Sequence, residues 1–117
     1  MIATFTIPGI TPSQNIYDRL HWSKKHALRN EWYYTTLSVC GRNDSKAPPA
    51  HLTTSRVAKR LLDIPNLAAG QKFLIDALVE YKWLCGDGPQ DVLSFTTIQR
   101  KAEKGEEQHM IVTIEYN

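Results

Sequence analysis

The chain has 117 residues, 42% hydrophobic and 22% charged, enough for one hydrophobic core and too few for two ordinary domains. That balance excludes a disordered chain, and no run approaches the roughly 18 apolar residues that a membrane span needs. The net charge of +2 conceals a split: residues 1–60 carry nine Lys or Arg against three Asp or Glu, and residues 61–117 carry five against nine. A basic half invites phosphate, and an acidic half with clustered Asp can hold cations.

In chain order, "IATFTI" (2–7) alternates and is rich in β-branched residues, which predicts a strand that Pro8, Gly9 and Pro12 stop. "SQNIYDRLHWS" is polar and irregular, and Ser23 is the expected N-cap of a helix over 24–40 with Tyr33, Leu37 and Cys40 on one face. "GRNDSKAPP" (41–49) is a loop, and "HLTTSRVAK" (51–59) a strand. Pro65 interrupts any helix through "RLLDIPN", and Asn66 is placed to cap a second helix over 68–82, with Leu74, Leu78 and Tyr81 as its buried stripe. After the loop "CGDGPQ" (85–90), two strands follow, "DVLSFTTIQR" and "QHMIVTIEYN", around the charged turn "KAEKGEE". The expected fold is α/β (α+β), one domain over 1–117, with a small mixed sheet, two main helices and the order β-α-β-α-β-β.

The opening "MIATFTIPGITP" has no positive segment ahead of an apolar run, so a cytoplasmic protein is expected. Cys40 and Cys85 suggest neither a disulfide framework nor a zinc knuckle. His21 and His26 form no recognised zinc pattern, and "GDGP" lacks the lysine that a P-loop requires.

The acids carry the chemistry. Asp63 precedes the second helix and Asp87 follows it. A helix of about 15 residues spans about 22 Å, so the two meet only if the loops fold back over the sheet. If they do, magnesium can take one or two carboxylate oxygens, keep several waters and complete its shell from phosphate. Lys72 and Asp76, one turn apart, are either a surface ion pair or a lysine that faces phosphate with an aspartate in support. Arg19, Lys24, Lys25, Arg29, Arg56, Lys59 and Arg60 are candidates for a phosphate-contacting rim, or for an ordinary solvated face. Trp22 and Trp32 are either stacking platforms or partly buried anchors.

The linked patterns "IPGITPSQNIYDRLHW", "KRLLDIPNL", "KFLIDAL" and "GDGPQDV" resemble the RusA family of Holliday-junction resolvases, small endonucleases often carried by phages and prophages, over nearly the whole chain. By that resemblance Asp63 matches the first metal-binding aspartate, Lys72 the lysine implicated in catalysis and Asp76 the helical aspartate. Asp87 matches the second member of an aspartate pair. Pro65 and Gly86 stand where the family has two further acids, so fewer carboxylates remain to capture a hydrated ion. Asp91 is the nearest additional one. The resemblance implies a homodimer that binds four-way-junction DNA and nicks it with Mg2+, or Mn2+, as cofactor. Asp63, Lys72, Asp76 and Asp87 would be the catalytic residues, and Asp63 and Asp87 the metal ligands, with Asp91 as an additional candidate. The alternatives are a branched-DNA-binding protein that has lost efficient cleavage, and a structural or protein-interaction domain.

Overall fold

The computed structural model describes residues 1–117. Four strands and four helices follow one another as β1 (Ile2–Pro8), α1 (Gln14–Asp18), α2 (Trp22–Cys40), β2 (Ala50–Ala58), α3 (Ile64–Ala69), α4 (Lys72–Glu80), β3 (Val92–Lys101) and β4 (His109–Tyr116). The strands form one mixed sheet in the order β1-β4-β2-β3, with β4 antiparallel to both β1 and β2, and β3 parallel to β2. The fold is thus a small, compact α+β arrangement of a mixed sheet and helices. No helix is long and apolar enough to cross a membrane.

Alternation decides which sheet face is buried, because successive side chains point to opposite sides. The rows Ala3–Ile114–Leu52–Phe95 and Ile7–Met110–Arg56–Gln99 lie on the covered face. There Ile7, Leu52, Met110, Val112 and Ile114 pack with Trp32 of α2 and with Phe73, Leu74 and Leu78 of α4 in one core. The opposite face carries the row Thr4–Thr113–Thr53–Thr96, a surface on which β-branched polar residues suit both the strand backbone and water. A β2-to-β3 parallel connection needs a crossover, and α3 and α4 provide it. The two last strands are accordingly not neighbours, and the turn after Lys101 carries the chain past the end of β2.

Several boundaries differ from the sequence expectations for identifiable reasons. The helix expected from residue 24 begins at Trp22, because His21 rather than Ser23 caps it, its Nδ1 accepting from the Ser23 N–H at 3.2 Å. Its buried residues are Trp32 and Thr36; of the expected stripe, Tyr33 and Cys40 are half-buried and Leu37 is exposed, because the apolar residues are spread round the helix rather than gathered on one side. Gly41, at φ 66°, ends it with an N–H to the Leu37 carbonyl at 2.8 Å.

The helix expected over 68–82 is two helices. Asp63, not Asn66, caps the first, and Pro65 fits its opening turn, where a missing N–H costs no hydrogen bond. The break falls at Gly70, which lies so close to the Pro12 carbonyl that a Cβ would collide with it. Gln71, fully buried, then ties the joint to the first loop, with Nε2 donating to Thr11 Oγ1 at 2.9 Å and to the Leu67 carbonyl at 3.1 Å. Leu74, Leu78 and Tyr81 are buried as their spacing predicts. The short helix α1, capped by Ser13, falls in the stretch expected to be irregular.

Candidate functional site

Three recesses join along the side of the molecule where α1, the first half of α2 and α4 approach the loop before β3. The largest, about 770 Å3, is lined among others by Gln14, Lys72, Ile75, Asp76, Asp87 and Phe95. A second, about 150 Å3, shares Gln14, Ala69, Lys72 and Asp76 with it and adds Tyr17, Arg29 and Phe73. A third, about 200 Å3, shares Tyr17 and Arg29 with the second and adds Trp22, Lys25 and His26. The shared walls make one trough that runs from Trp22 past Arg29 and Lys72 to Asp87.

Local structure fixes each contributor. Lys72 opens α4 and Asp76 stands one turn later, so both project from the same side of the helix. They do not pair: Arg100–Glu106, at 2.7 Å, is the one side-chain ion pair in the protein. Arg29 is drawn instead to the Tyr33 hydroxyl, at 2.9 Å from one terminal nitrogen. That bond, with a smaller contribution from the nearby Asp76, raises the guanidinium pKa above its ordinary value. Asp87 sits on a loop closed by the Asp91 and Val92 N–H groups, which donate to the Gly88 carbonyl at 3.0 and 2.9 Å. Within the same loop the Asp91 carboxylate lies against Gly86, and a side chain at position 86 would have to displace it.

The trough therefore unites Lys72, Asp76, Asp87, Lys25 and Arg29 from the sequence candidates. Asp63 does not line it. Its Oδ1 accepts the Asn66 N–H at 3.0 Å and its Oδ2 the Asn66 side-chain amide at 2.7 Å, which makes it the cap of α3. It follows the C-terminal end of β2, whereas Asp87 precedes the N-terminal end of β3, and these strands run parallel. No group of three or more His, Cys, Asp or Glu side chains is arranged so that it could hold a metal ion.

The basic candidates also divide. Arg56 is buried, with 5% of its surface exposed, and donates from Nε to the Thr11 carbonyl at 3.2 Å and from a terminal nitrogen to the Arg60 carbonyl at 3.1 Å. Burial lowers its pKa. Beside it in the sheet, Gln99 brackets Leu62 with bonds of 2.9 and 2.6 Å, so this pair of side chains anchors the two loops that meet at the end of β2. Burial separates Arg56 from the rim expected from sequence, and two of its N–H donors serve backbone carbonyls. Lys59 lines a different recess with Glu103, Glu106 and Glu107, and its surroundings are acidic. Arg19, Lys24 and Arg60 are exposed but line none of the three joined recesses.

Gln14, Tyr17 and Phe95 were not among the sequence candidates. Their places in the trough depend on contacts between elements far apart in the chain, for which a local pattern carries no signal. The chain matches no family model and no curated protein.

Proposed function

We propose that this protein is a structure-selective DNA endonuclease of the RusA type, acting on branched DNA through the trough. The observation that carries the reading is the meeting of Lys72, Asp76 and Asp87 in one open cavity, continuous with the cations Lys25 and Arg29. A phosphodiester backbone is a run of anions, and cations spaced along a channel position it without reading bases. The motif resemblance supplies the reaction class, and the small mixed α+β fold is compatible with it.

The residues present fit magnesium only as an ion shared with substrate. Asp76 and Asp87 line the cavity, with Asp91 on the same loop as Asp87, and one or two carboxylates suffice when phosphate and water complete the shell. Bound there, the ion would supply charge neutralisation at the phosphate and a more acidic water. Lys72 holds a non-bridging phosphate oxygen, and Arg29 holds the neighbouring phosphate. Asp63 keeps α3 in place and so sets where Lys72 stands. A two-fold dimer would present the same trough to each of two equivalent strands.

A second reading, a branched-DNA-binding protein without efficient cleavage, is favoured by one specific observation: both Asp63 oxygens are already engaged by Asn66. A junction-cleavage assay with Mg2+ or Mn2+ separates the two. The endonuclease reading expects paired nicks that Asp87→Asn and Lys72→Ala each reduce by at least 100-fold, with junction binding largely kept in the former. Binding with no products under either metal would establish the second reading, and absence of junction binding at low salt would overturn both.

A further inference from the structure

We propose that Trp22 is a stacking platform for an unpaired nucleobase, so that the strand entering the trough does so single-stranded at this end. The inference rests on the nucleic-acid reading of the trough and goes on to name the form of the strand that enters it.

The three tryptophans of the chain have different surroundings. Trp32 lies in the core. Trp83 stacks edge-on against Phe5, with ring centroids 4.8 Å apart, and donates from its indole N–H to the Gly41 carbonyl at 2.9 Å. Trp22 is 72% exposed, and its nearest aromatic neighbour is the tilted His21 ring at 5.6 Å. An indole left in water gives up hydrophobic stabilisation that burial would have supplied, and this one is positioned by the first turn of a 19-residue helix.

What surrounds it is cationic and aromatic together. Lys25 lies 5.0 Å from the centre of the Tyr17 ring and Arg29 5.3 Å from that of Tyr33, which holds both cations at the trough wall. The first turn of α2 contains no acid, so the helix dipole adds to the positive potential there without a carboxylate to offset it. Cations for the backbone beside a flat aromatic face for the bases is the arrangement that single-stranded nucleic acid requires, and it needs no particular sequence. In a duplex the base faces are already stacked on one another, and the indole would have nothing to cover.

The test uses the intact protein at low salt, a ten-nucleotide thymidine oligomer as probe, and a duplex of equal charge as control. Tryptophan fluorescence should be quenched by the single strand and much less by the duplex. Trp22→Ala should abolish the quench and weaken single-strand binding about tenfold, while Trp22→Phe keeps most of the affinity. The position is exposed, so circular dichroism of the variants should match the parent. Equal affinity and quench in Trp22→Ala, with junction binding intact, would overturn the stacking site and leave the nucleic-acid reading standing. Failure of every DNA probe to bind would overturn both. A concentration-dependent dimer that Trp22→Ala dissociates, with no change in DNA affinity, would assign the indole to a protein contact and overturn the proposal.

Discussion

Asp63 and Asn66 hold each other twice, once through the backbone N–H at 3.0 Å and once through the side-chain amide at 2.7 Å. A carboxylate so placed is a helix cap before it is anything else. Asp63→Ala should cost about 1 kcal/mol, a fall in Tm of about 4 °C, whereas Asp63→Asn should lose much less because an amide oxygen can still cap. Thermal unfolding followed by circular dichroism measures both. If cleavage is found, Asp63→Asn should keep most of it; a loss as large as that of Asp87→Asn would return Asp63 to the reacting centre.

The division among the basic residues can be read from salt dependence. Arg29 lies in the trough and Lys59 lies among Glu103, Glu106 and Glu107. Arg29→Ala should therefore lower the slope of log K against log salt by about 1 for junction DNA, and Lys59→Ala should leave it unchanged. Equal effects of the two substitutions would mean that the strand follows a different path.

Glu106 accepts two bonds from Arg100, at 2.7 and 2.8 Å, and a third from the Glu103 N–H at 2.9 Å. Chiefly through the arginine, its pKa is lowered from 4.5 to about 2. A lowered folded-state pKa stabilises the fold where the carboxylate is ionised in both states, above about pH 4.5, and that stabilisation disappears as pH falls toward 2. Arg100 is exposed and Glu106 partly so, and solvent screening keeps the effect small. The Tm difference between parent and Glu106→Gln should be largest at neutral pH and vanish near pH 2; a difference independent of pH would show that the ion pair is not its source.

Lys82 is the one non-glycine residue with positive φ, at 67°. Its position is enforced by the loop after α2, where the Asn43 side chain donates to the Lys82 carbonyl at 3.1 Å and the Asn43 N–H to that of Tyr81 at 2.9 Å. Lys82→Gly relieves a conformation unfavourable to any side chain and offsets part of the gain by loosening the unfolded chain. The expected net gain is about 0.5 kcal/mol, a rise in Tm of about 2 °C. A lower Tm would mean that the lysine stem stabilises the turn by packing.

Legibility in the sequence followed the range of the interaction. Alternation in "HLTTSRVAK" and "QHMIVTIEYN" located β2 and β4 to within about a residue, and the spacing of Leu74, Leu78 and Tyr81 located the core face of α4. Hydrophobic pattern has no way to indicate a buried threonine or arginine, so Thr36 and Arg56 were invisible to it and Leu37 was misassigned. The break at Gly70 depends on the carbonyl of Pro12, nearly sixty residues earlier. An aspartate ahead of a helix is equally suited to capping and to holding a cation, and only its hydrogen bonds tell which. Lys72, Asp76 and Asp87 could be nominated from motif spacing, but the wall formed by Gln14, Tyr17 and Phe95 could not.

The strand order has a further consequence for synthesis. Of the four strands β1 is made before the others and borders only β4, which is made roughly a hundred residues later. Until residues 109–116 emerge, β2 and β3 can associate as a pair, but Phe5 and Ile7 have no strand partner and remain exposed to whatever else the nascent chain meets. Termination between Lys101 and His109 would remove a middle strand of the sheet rather than its margin, leaving two fragments of apolar surface with nothing to join them.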